Sequence, residues 1–175
     1  MKVAICGRMA SGKTTLANWF VDQGYQKVSL AAKVKDIARD LFKMKNKDRR
    51  LLQKIGMKMR EIRPDVWIEY LIGTDGNLLV VDDVRFVNEA RSFKAAGWVL
   101  IRLNIDEDLQ KKRLQRTYPD DWETHWNNRS DSSETEVDMI PADLIDIEIT
   151  SADEPYPFEV IMDYVQCMVN ALKSL

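Results

Sequence analysis

The residues best suited to chemistry form one short segment near the start of the 175-residue chain. This segment, Gly7-Arg8-Met9-Ala10-Ser11-Gly12-Lys13-Thr14, matches the pattern Gly-x-x-x-x-Gly-Lys-[Ser/Thr] at every fixed position. Its glycines allow the backbone N–H groups to turn toward one point, where they can bind an anionic phosphate. Strand-like sequence precedes the segment and helix-like sequence follows it, which is the context in which this P-loop pattern binds nucleotides.

Several positions of the loop have an expected role toward a nucleoside triphosphate. Lys13 is expected to reach the β and γ phosphates, and the Thr14 hydroxyl to contact a magnesium ion. The helix that follows adds the partial positive charge of its N-terminus. We therefore predict that the loop binds ATP together with Mg²⁺. The predicted ATP-binding residues are Gly7, Arg8, Met9, Ala10, Ser11, Gly12, Lys13, Thr14 and Thr15.

Two adjacent acidic residues, Asp82 and Asp83, follow the continuous apolar run 78–81. A carboxylate at the end of such a buried strand can help to hold Mg²⁺. Adjacent residues of a regular strand point to opposite faces, so only one of the two is expected to face the phosphate loop. We choose Asp83, and we predict Thr14 and Asp83 as the metal-binding pair. Two solvated turn acids are the alternative.

Arginines in two predicted helices are candidates for binding phosphate groups. In the helix over 48–63, Arg60 and Arg63 share a face with Gly56 at the border of an apolar stripe. In the helix over 107–116, Arg113 and Arg116 lie three residues apart, just before a polar stretch. Ordinary solvated side chains at a helix edge are the alternative in both cases.

Phosphoryl transfer depends mainly on positioning and on positive charge around the moving group. The lysine of the loop, the chosen carboxylate and the arginines before the polar stretch meet these needs. The predicted catalytic residues are Lys13, Asp83, Arg113 and Arg116.

The elements that must position these residues alternate between strands and helices. Alternation of this kind predicts a three-layer α/β fold with a central parallel sheet of about five strands, and ligands at the carboxyl ends of the strands. Strands are predicted at 1–6, 27–30, 78–81, 98–103 and 144–149. Helices are predicted after the P-loop and at 31–42, 48–63, 65–72, 88–96, 107–116 and 158–172.

The composition is that of one compact domain over residues 1–175, because 45% of the residues are hydrophobic and 31% are charged. No apolar run approaches the length of a membrane span, and no charged-then-apolar leader is present, so we predict a cytoplasmic protein with no membrane partner. Cys6 and Cys167 are far apart and have no CxxC partner. We predict that both are buried free thiols.

The net charge of −2 hides a segregation of charge along the chain. Residues 33–63 are predominantly basic, whereas residues 118–160 are predominantly acidic. A basic stretch inside an acidic chain suits a small anionic ligand better than a nucleic acid, which usually needs a broad basic face. A solvated helix surface is the alternative explanation.

Several separated blocks resemble the phage-type deoxynucleoside monophosphate kinases. Residues 30–35, Leu-Ala-Ala-Lys-Val-Lys, look like the family's Phe-Ala-Asp-Pro-Leu-Lys block, and residues 51–67 resemble its Leu-Gln-x-x-Gly, Arg and Trp block. Residues 83–89, Asp-Val-Arg-Phe-Val-Asn-Glu, are very similar to Asp-Val-Arg-Phe-Pro-Asn-Glu, and Ser133-Glu134 is similar to a Ser-Glu pair after the lid. The chain departs from the family at positions 32, 33 and 131.

The resemblance implies a P-loop kinase-like fold and a nucleotide kinase that transfers the γ-phosphoryl group of ATP to a (deoxy)nucleoside monophosphate. It also implies a helical acceptor-binding region over 31–72 and a lid over 113–133. The implied partners are these two small molecules and no nucleic acid. Whether the protein forms a homodimer is left open. The implied substrate-binding residues are Lys35, Arg60, Trp67, Arg85 and Glu89.

Two other functions stay open. One is another P-loop metabolite kinase, similar to dephospho-coenzyme A kinase or phosphomevalonate kinase. The other is a nucleotide-dependent switch without acceptor chemistry. A switch requires loops that the bound triphosphate orders and that hydrolysis releases. It also normally requires a surface for a partner protein. The sequence offers arginines on the acceptor side instead, which favours a kinase.

Overall fold

The computed structural model describes residues 1–127, 129 and 132–152, together with positions 163, 166, 167, 170 and 171. The predicted closing helix over 158–172 therefore lies almost entirely outside the described residues. Among the described helices, none combines the length and the apolar character that crossing a membrane requires.

In the described part of the chain, five strands form one sheet, in the order β2-β3-β1-β4-β5. All neighbouring strands are parallel, which confirms the predicted α/β fold with a central parallel sheet. The N-terminal strand lies in the middle and is buried on both faces, as expected for its continuous apolar sequence. The strands are β1 (Lys2–Gly7), β2 (Gln26–Val28), β3 (Leu79–Val84), β4 (Val99–Asn104) and β5 (Ile147–Thr150).

Helices connect the strands and cover the sheet. Side chains at three positions just before helices, Ser29, Asp48 and Asp106, accept backbone N–H groups of the first helical turn. The helices are α1 (Lys13–Asp22), α2 (Leu30–Asp40), α3 (Arg49–Ile62), α4 (Val66–Ile72), α5 (Val87–Ala95), α6 (Glu107–Thr117), α7 (Trp122–Asn127) and α8 (Ser132–Thr135), followed by 3-10 turns at Glu136–Met139 and Ala142–Leu144.

Each face of the sheet has its own hydrophobic core. On one face, Val81 and Leu100 pack with Phe93 of α5 and with residues of α2, α3 and α4. On the other face, Val3 and Ile5 pack with residues of α1. Full burial of one such side chain contributes about 1.5–3 kcal/mol. The two cores hold the carboxyl ends of β1, β3 and β4 at one edge, where the candidate site lies.

Four local features differ from the sequence-based predictions. The second strand ends at Val28, because Ser29 caps α2 and Leu30 begins that helix. The third strand continues through the acidic pair to Val84. The last strand begins at Ile147, after a 3-10 turn at Ala142–Leu144. Cys6 is buried as predicted, but Cys167 is exposed.

Candidate active site

The P-loop, residues 7–14, connects β1 to α1 at the carboxyl end of the central strand. Gly7 has a φ of 146°, and a Cβ added there would lie 2.4 Å from the Leu103 carbonyl oxygen. Only glycine fits such a close approach of two backbones. Ala10 has a φ of 63°, a left-handed conformation that side chains disfavour. The loop therefore keeps a tightly specified path, with strain at Ala10.

Lys13 is turned into the P-loop. Its Nζ donates hydrogen bonds to the carbonyl oxygens of Gly7 at 2.7 Å and Arg8 at 2.6 Å. Burial lowers the pKa of Lys13 to about 8, and the nearby Glu134 and Asp82 carboxylates oppose that shift. A bound polyphosphate would favour the charged form and raise this pKa again. The ammonium group thus lies among the groups that form the predicted phosphate site.

The two acidic residues at the end of β3 have different partners. Asp82 Oδ2 accepts a hydrogen bond from the Thr14 hydroxyl at 3.0 Å. Asp83 instead accepts hydrogen bonds from the Ser29 hydroxyl at 2.7 Å and from the Leu30 and Ala31 N–H groups at 3.1 Å. Asp83 therefore holds the N-terminus of α2. The carboxylate beside Thr14 belongs to Asp82, contrary to our choice of Asp83.

A β-bulge explains why Asp82 and Asp83 do not point to opposite faces of the strand, as was expected from the sequence. Between β1 and β3, Ala4 pairs with Val81 but Cys6 pairs with Val84, so β3 contains one extra residue at this point. An extra residue interrupts the strict alternation of side chains on a strand. As a result, Asp82 and Asp83 line the same cavity. The pairing register that produces the bulge involves a strand far away in the sequence.

The oxygen atoms beside the P-loop suit a magnesium ion. Mg²⁺ bound with a nucleotide needs only one or two carboxylates, because phosphates and water complete its coordination. The Thr14 hydroxyl and the Asp82 carboxylate supply hard oxygen ligands of this kind at one place. Within the described residues, no group of three or more His, Cys, Asp or Glu side chains is placed to hold a metal ion.

A cavity of about 800 Å³ extends from the P-loop to the N-terminus of α2 and to α6. It brings together the residues of the P-loop, on the predicted ATP side (the donor side), and the basic side chains of the predicted acceptor side. The two arginines before the polar stretch also line it. The predicted site residues that line it are Met9, Ala10, Gly12, Lys13, Thr14, Thr15, Lys35, Asp83, Arg85, Arg113 and Arg116.

The other predicted site residues do not line this cavity. Within the loop, Ser11 is buried, and Arg8 forms an ion pair with Asp138 at 2.6 Å. Trp67 is buried in the core, where its Nε1 donates to the Gly56 carbonyl oxygen at 3.3 Å. The bond fastens α4 to α3. Trp67 is thus a core residue in this structure, and its geometry does not support a direct contact with a substrate.

Arg60 and Glu89 do not line the cavity, but they contact each other and the segment that carries Arg85. Glu89 is buried and accepts the N–H groups of Arg85 at 2.8 Å and Phe86 at 3.2 Å, while Arg60 lies 3.6 Å from its carboxylate. Burial raises the pKa of Glu89 to about 7, although the two N–H donors and Arg60 favour its charged form. The Arg60 guanidinium also stacks 5.4 Å from the Phe86 ring. Both residues support the backbone that carries Arg85.

Glu134, to which the sequence assigned no role, connects the two sides of the cavity. One carboxylate oxygen accepts the N–H of Met9 at 2.7 Å, and the other accepts from Arg85 Nη1 at 3.0 Å. The Glu134 side chain is only 8% exposed. A buried carboxylate needs such partners, because its charge is costly to remove from water. Glu134 therefore contacts both the P-loop and one nitrogen of the half-exposed Arg85 guanidinium.

Helix α6 also holds the P-loop. The buried side chain of Gln110 donates to the Met9 carbonyl oxygen at 2.9 Å. Arg113 donates to the carbonyl oxygens of Ala10 at 3.1 Å and Ala152 at 2.7 Å. Arg113 is therefore anchored on the loop itself, whereas the sequence predicted it as part of a closing lid. Its neighbour Arg116 lines the cavity.

Comparisons with known proteins identify the fold of the chain. No protein-family model and no curated protein matches the chain. Solved structures do match. The shikimate kinase from Acinetobacter baumannii in complex with shikimate is 14% identical, with a TM-score of 0.58 over 97% of this chain and 93% of that one. The shikimate kinase from Bacteroides thetaiotaomicron is 11% identical, with a TM-score of 0.63 over 97% and 98%.

A third neighbour, the shikimate kinase from Aquifex aeolicus, is 17% identical, with a TM-score of 0.55 over 98% of this chain and 99% of that one. At such low identity the likeness concerns the fold, since one fold can host many activities. The chain thus has the fold of shikimate kinase-like P-loop kinases, with a five-stranded parallel sheet between helices.

Proposed function

We propose that the protein is an ATP-dependent kinase that transfers the γ-phosphoryl group of ATP to the phosphate of a nucleoside or deoxynucleoside monophosphate. The observation that carries the choice of acceptor is the chemistry of the cavity wall. Two basic side chains, Lys35 and Arg85, line the acceptor side of the cavity.

The donor side supports ATP as the second substrate. The backbone path of the P-loop and Lys13 provide positive charge for a polyphosphate. When bound, Mg²⁺ supplies charge neutralisation between the phosphates. Thr14 and Asp82 are the residues that we propose as its protein ligands, with Asp82 in place of Asp83.

The acceptor side supports a phosphate more than a hydroxyl group. A hydroxyl acceptor requires a base that removes its proton, whereas a phosphate ester is already an anion at neutral pH and requires cations. Asp82 accepts bonds from Lys27 and Thr14, and both oxygens of Asp83 accept bonds at the start of α2. Lys35 and Arg85 provide the cations.

Each residue then has one proposed task. Arg85, oriented by Glu134, binds the acceptor phosphate in two-point geometry. Lys13 binds the phosphates of ATP, and Arg113 keeps the loop around them in shape. Arg116, on the wall of the cavity, is proposed to stabilise charge on the transferring group.

A metabolite with a hydroxyl acceptor is the second candidate. It is favoured by the structural neighbours, one of which binds shikimate. Under this alternative Asp82 or Asp83, which both line the cavity, would act as the base that removes the proton of the hydroxyl group.

An acceptor panel distinguishes the two candidates. Purified protein is incubated with ATP, Mg²⁺ and one acceptor at a time: the ribonucleoside and deoxyribonucleoside monophosphates, and hydroxyl compounds that include shikimate. Product masses are measured, with Lys13→Ala as the control for contaminating kinases. We expect a nucleoside diphosphate from at least one monophosphate. If only a hydroxyl compound gains phosphate, or if nothing does, the proposed acceptor is wrong.

A further inference from the structure

Lys27 has no task of its own in the proposed function, yet it makes a close contact with Asp82. It lies on the edge strand β2, next to β3, and its Nζ is 2.6 Å from Oδ2 of Asp82. The same oxygen accepts the hydrogen bond from the Thr14 hydroxyl at 3.0 Å. Asp82 is 11% exposed and Lys27 32% exposed, so the pair is partly shielded from water. Lys27 also lines the cavity.

The contact puts an ammonium group on the carboxylate that is best placed to hold a metal ion. A cation coordinated by Thr14 and Asp82 would lie a few ångströms from the Lys27 charge. Like charges at such a distance repel one another, and shielding from water strengthens the repulsion. The ammonium group also neutralises part of the negative charge that attracts a dication. Both effects weaken metal binding.

A bound nucleotide changes this balance. Its phosphates bring several negative charges to the P-loop, and they can coordinate the metal directly. Lys27 has a long flexible stem and stands on the wall of the same cavity, so its ammonium group can turn from Asp82 toward a phosphate. The repulsion between the Lys27 ammonium group and the metal ion then decreases at the same time as the phosphates complete the coordination of the metal.

We propose that Lys27 is the counter-charge of the metal site, and that it makes binding of the divalent cation depend on the nucleotide. This inference rests on the donor half of the proposed function, the Thr14–Asp82 metal pair, and it is independent of the acceptor. Lys27 is a positioning residue, since it acts through Asp82.

The test measures metal affinity directly. Mn²⁺ replaces Mg²⁺, and its free concentration is followed by electron paramagnetic resonance, with the full chain alone and with ADP. Without nucleotide, Lys27→Met should bind Mn²⁺ about tenfold more tightly than the unmodified protein, because a unit charge close to the dication is removed. With ADP, the gain should shrink to about threefold or less, because the phosphates already compensate for the charge.

Three variants serve as controls. Lys27→Arg keeps the charge and should bind Mn²⁺ like the unmodified protein. Lys33→Met removes the same charge from α2, where Lys33 stacks 5.4 Å from the Tyr70 ring, and it should also have no effect. The double variant Lys27→Met with Asp82→Asn should lose the gain. Circular dichroism establishes that each variant is folded.

Several results would overturn the inference. They are unchanged or weaker Mn²⁺ binding by Lys27→Met, an equal gain in Lys33→Met, and a gain that survives Asp82→Asn. If the unmodified protein does not bind Mn²⁺ in the presence of ADP, Thr14 and Asp82 are not a metal-binding pair. Because no acceptor is present in these measurements, a negative acceptor panel together with the expected Mn²⁺ result would reject only the nucleoside monophosphate.

Discussion

The donor and acceptor sides of the cavity differ in how firmly their groups are held. On the donor side, the N–H and C=O groups of Met9 are bound by the buried side chains of Glu134 and Gln110, and Arg113 holds the next carbonyl. On the acceptor side, Arg85 is 41% exposed. A site held in its binding geometry loses little conformational freedom when the ligand arrives. We infer that the donor side is prepared before binding, whereas the acceptor side adjusts to its ligand.

Removal of the Lys13 side chain should have the largest effect on turnover. We expect Lys13→Ala to lower kcat by at least about 10³-fold, because a charge aimed at the transferring group is lost. The backbone of a firmly held loop should survive the change, so the melting temperature should fall little. Steady-state kinetics and thermal unfolding measure the two quantities. A large fall in melting temperature would show that Lys13 itself holds the loop. That result would contradict the inference that other side chains hold the donor side.

Removal of Arg85 should affect the acceptor alone. A charged hydrogen bond contributes about 1.5–3 kcal/mol, so Arg85→Ala should raise the KM for the acceptor roughly 10- to 100-fold and leave the KM for ATP nearly unchanged. Glu134→Gln should raise it less, because the guanidinium loses its orientation but keeps its charge. Both substrates are varied in the assay. An equal rise of the two KM values in Arg85→Ala would contradict the separation of the two sides.

The pH dependence of ADP binding tests the donor side alone. The pKa of Lys13 is lowered to about 8 in the protein, and a bound polyphosphate should raise it. Below pH 8 the lysine is charged before and after binding, so it adds no pH dependence. Above pH 8 binding must take up a proton, and the Kd should rise by up to tenfold per pH unit.

Calorimetry from pH 7 to 9.5 measures this effect. Lys13→Arg provides the control, because its guanidinium stays charged over the whole range and its Kd should stay flat. A flat profile for the unmodified protein would mean that Lys13 does not change its protonation on binding.

The smallest expected effect is at Ala10. A left-handed conformation costs a side-chain residue about 1–2 kcal/mol, and the added freedom of glycine in the unfolded chain cancels about half of that. Ala10→Gly should therefore stabilise the protein by up to about 1 kcal/mol, and raise the melting temperature by about 2–4 °C. The ADP affinity should change little, because side chains from outside still hold the loop.

Ala32→Gly, at an exposed position of α2, is the matched control and should destabilise the protein. A loss of ADP affinity in Ala10→Gly would show that the donor side depends on its own local stiffness and less on the surrounding side chains.

The sequence predicted the local features of the fold well. The P-loop, α3 and α6 begin and end within a residue or two of the predictions, because their caps and apolar spacing are local signals. The different surroundings of Asp82 and Asp83 could not be predicted from the sequence, because the bulge arises from pairing with β1. Trp67 resembled a family block, yet its helical spacing also suits the core position that it takes.

The roles of Glu134, Gln110 and Lys27 left no local trace in the sequence. Glu134 and Gln110 contact Met9 across separations of 125 and 101 residues. Lys27 meets Asp82 only because β2 and β3 are neighbours in the sheet. A single sequence contains no pattern that predicts such contacts, even though Glu134 was part of a recognised block.

The central position of β1 has a consequence for the order of folding. The first strand of the chain pairs with β3 and β4, whose last residue is Asn104, and not with the next strand in sequence. Pairings over such distances close long loops and form slowly. During synthesis, β1 has both neighbours only after residue 104 has emerged, and Met9 has its Glu134 partner later still. The P-loop is therefore synthesised well before the residues that hold it, and it reaches its final shape only after they have emerged.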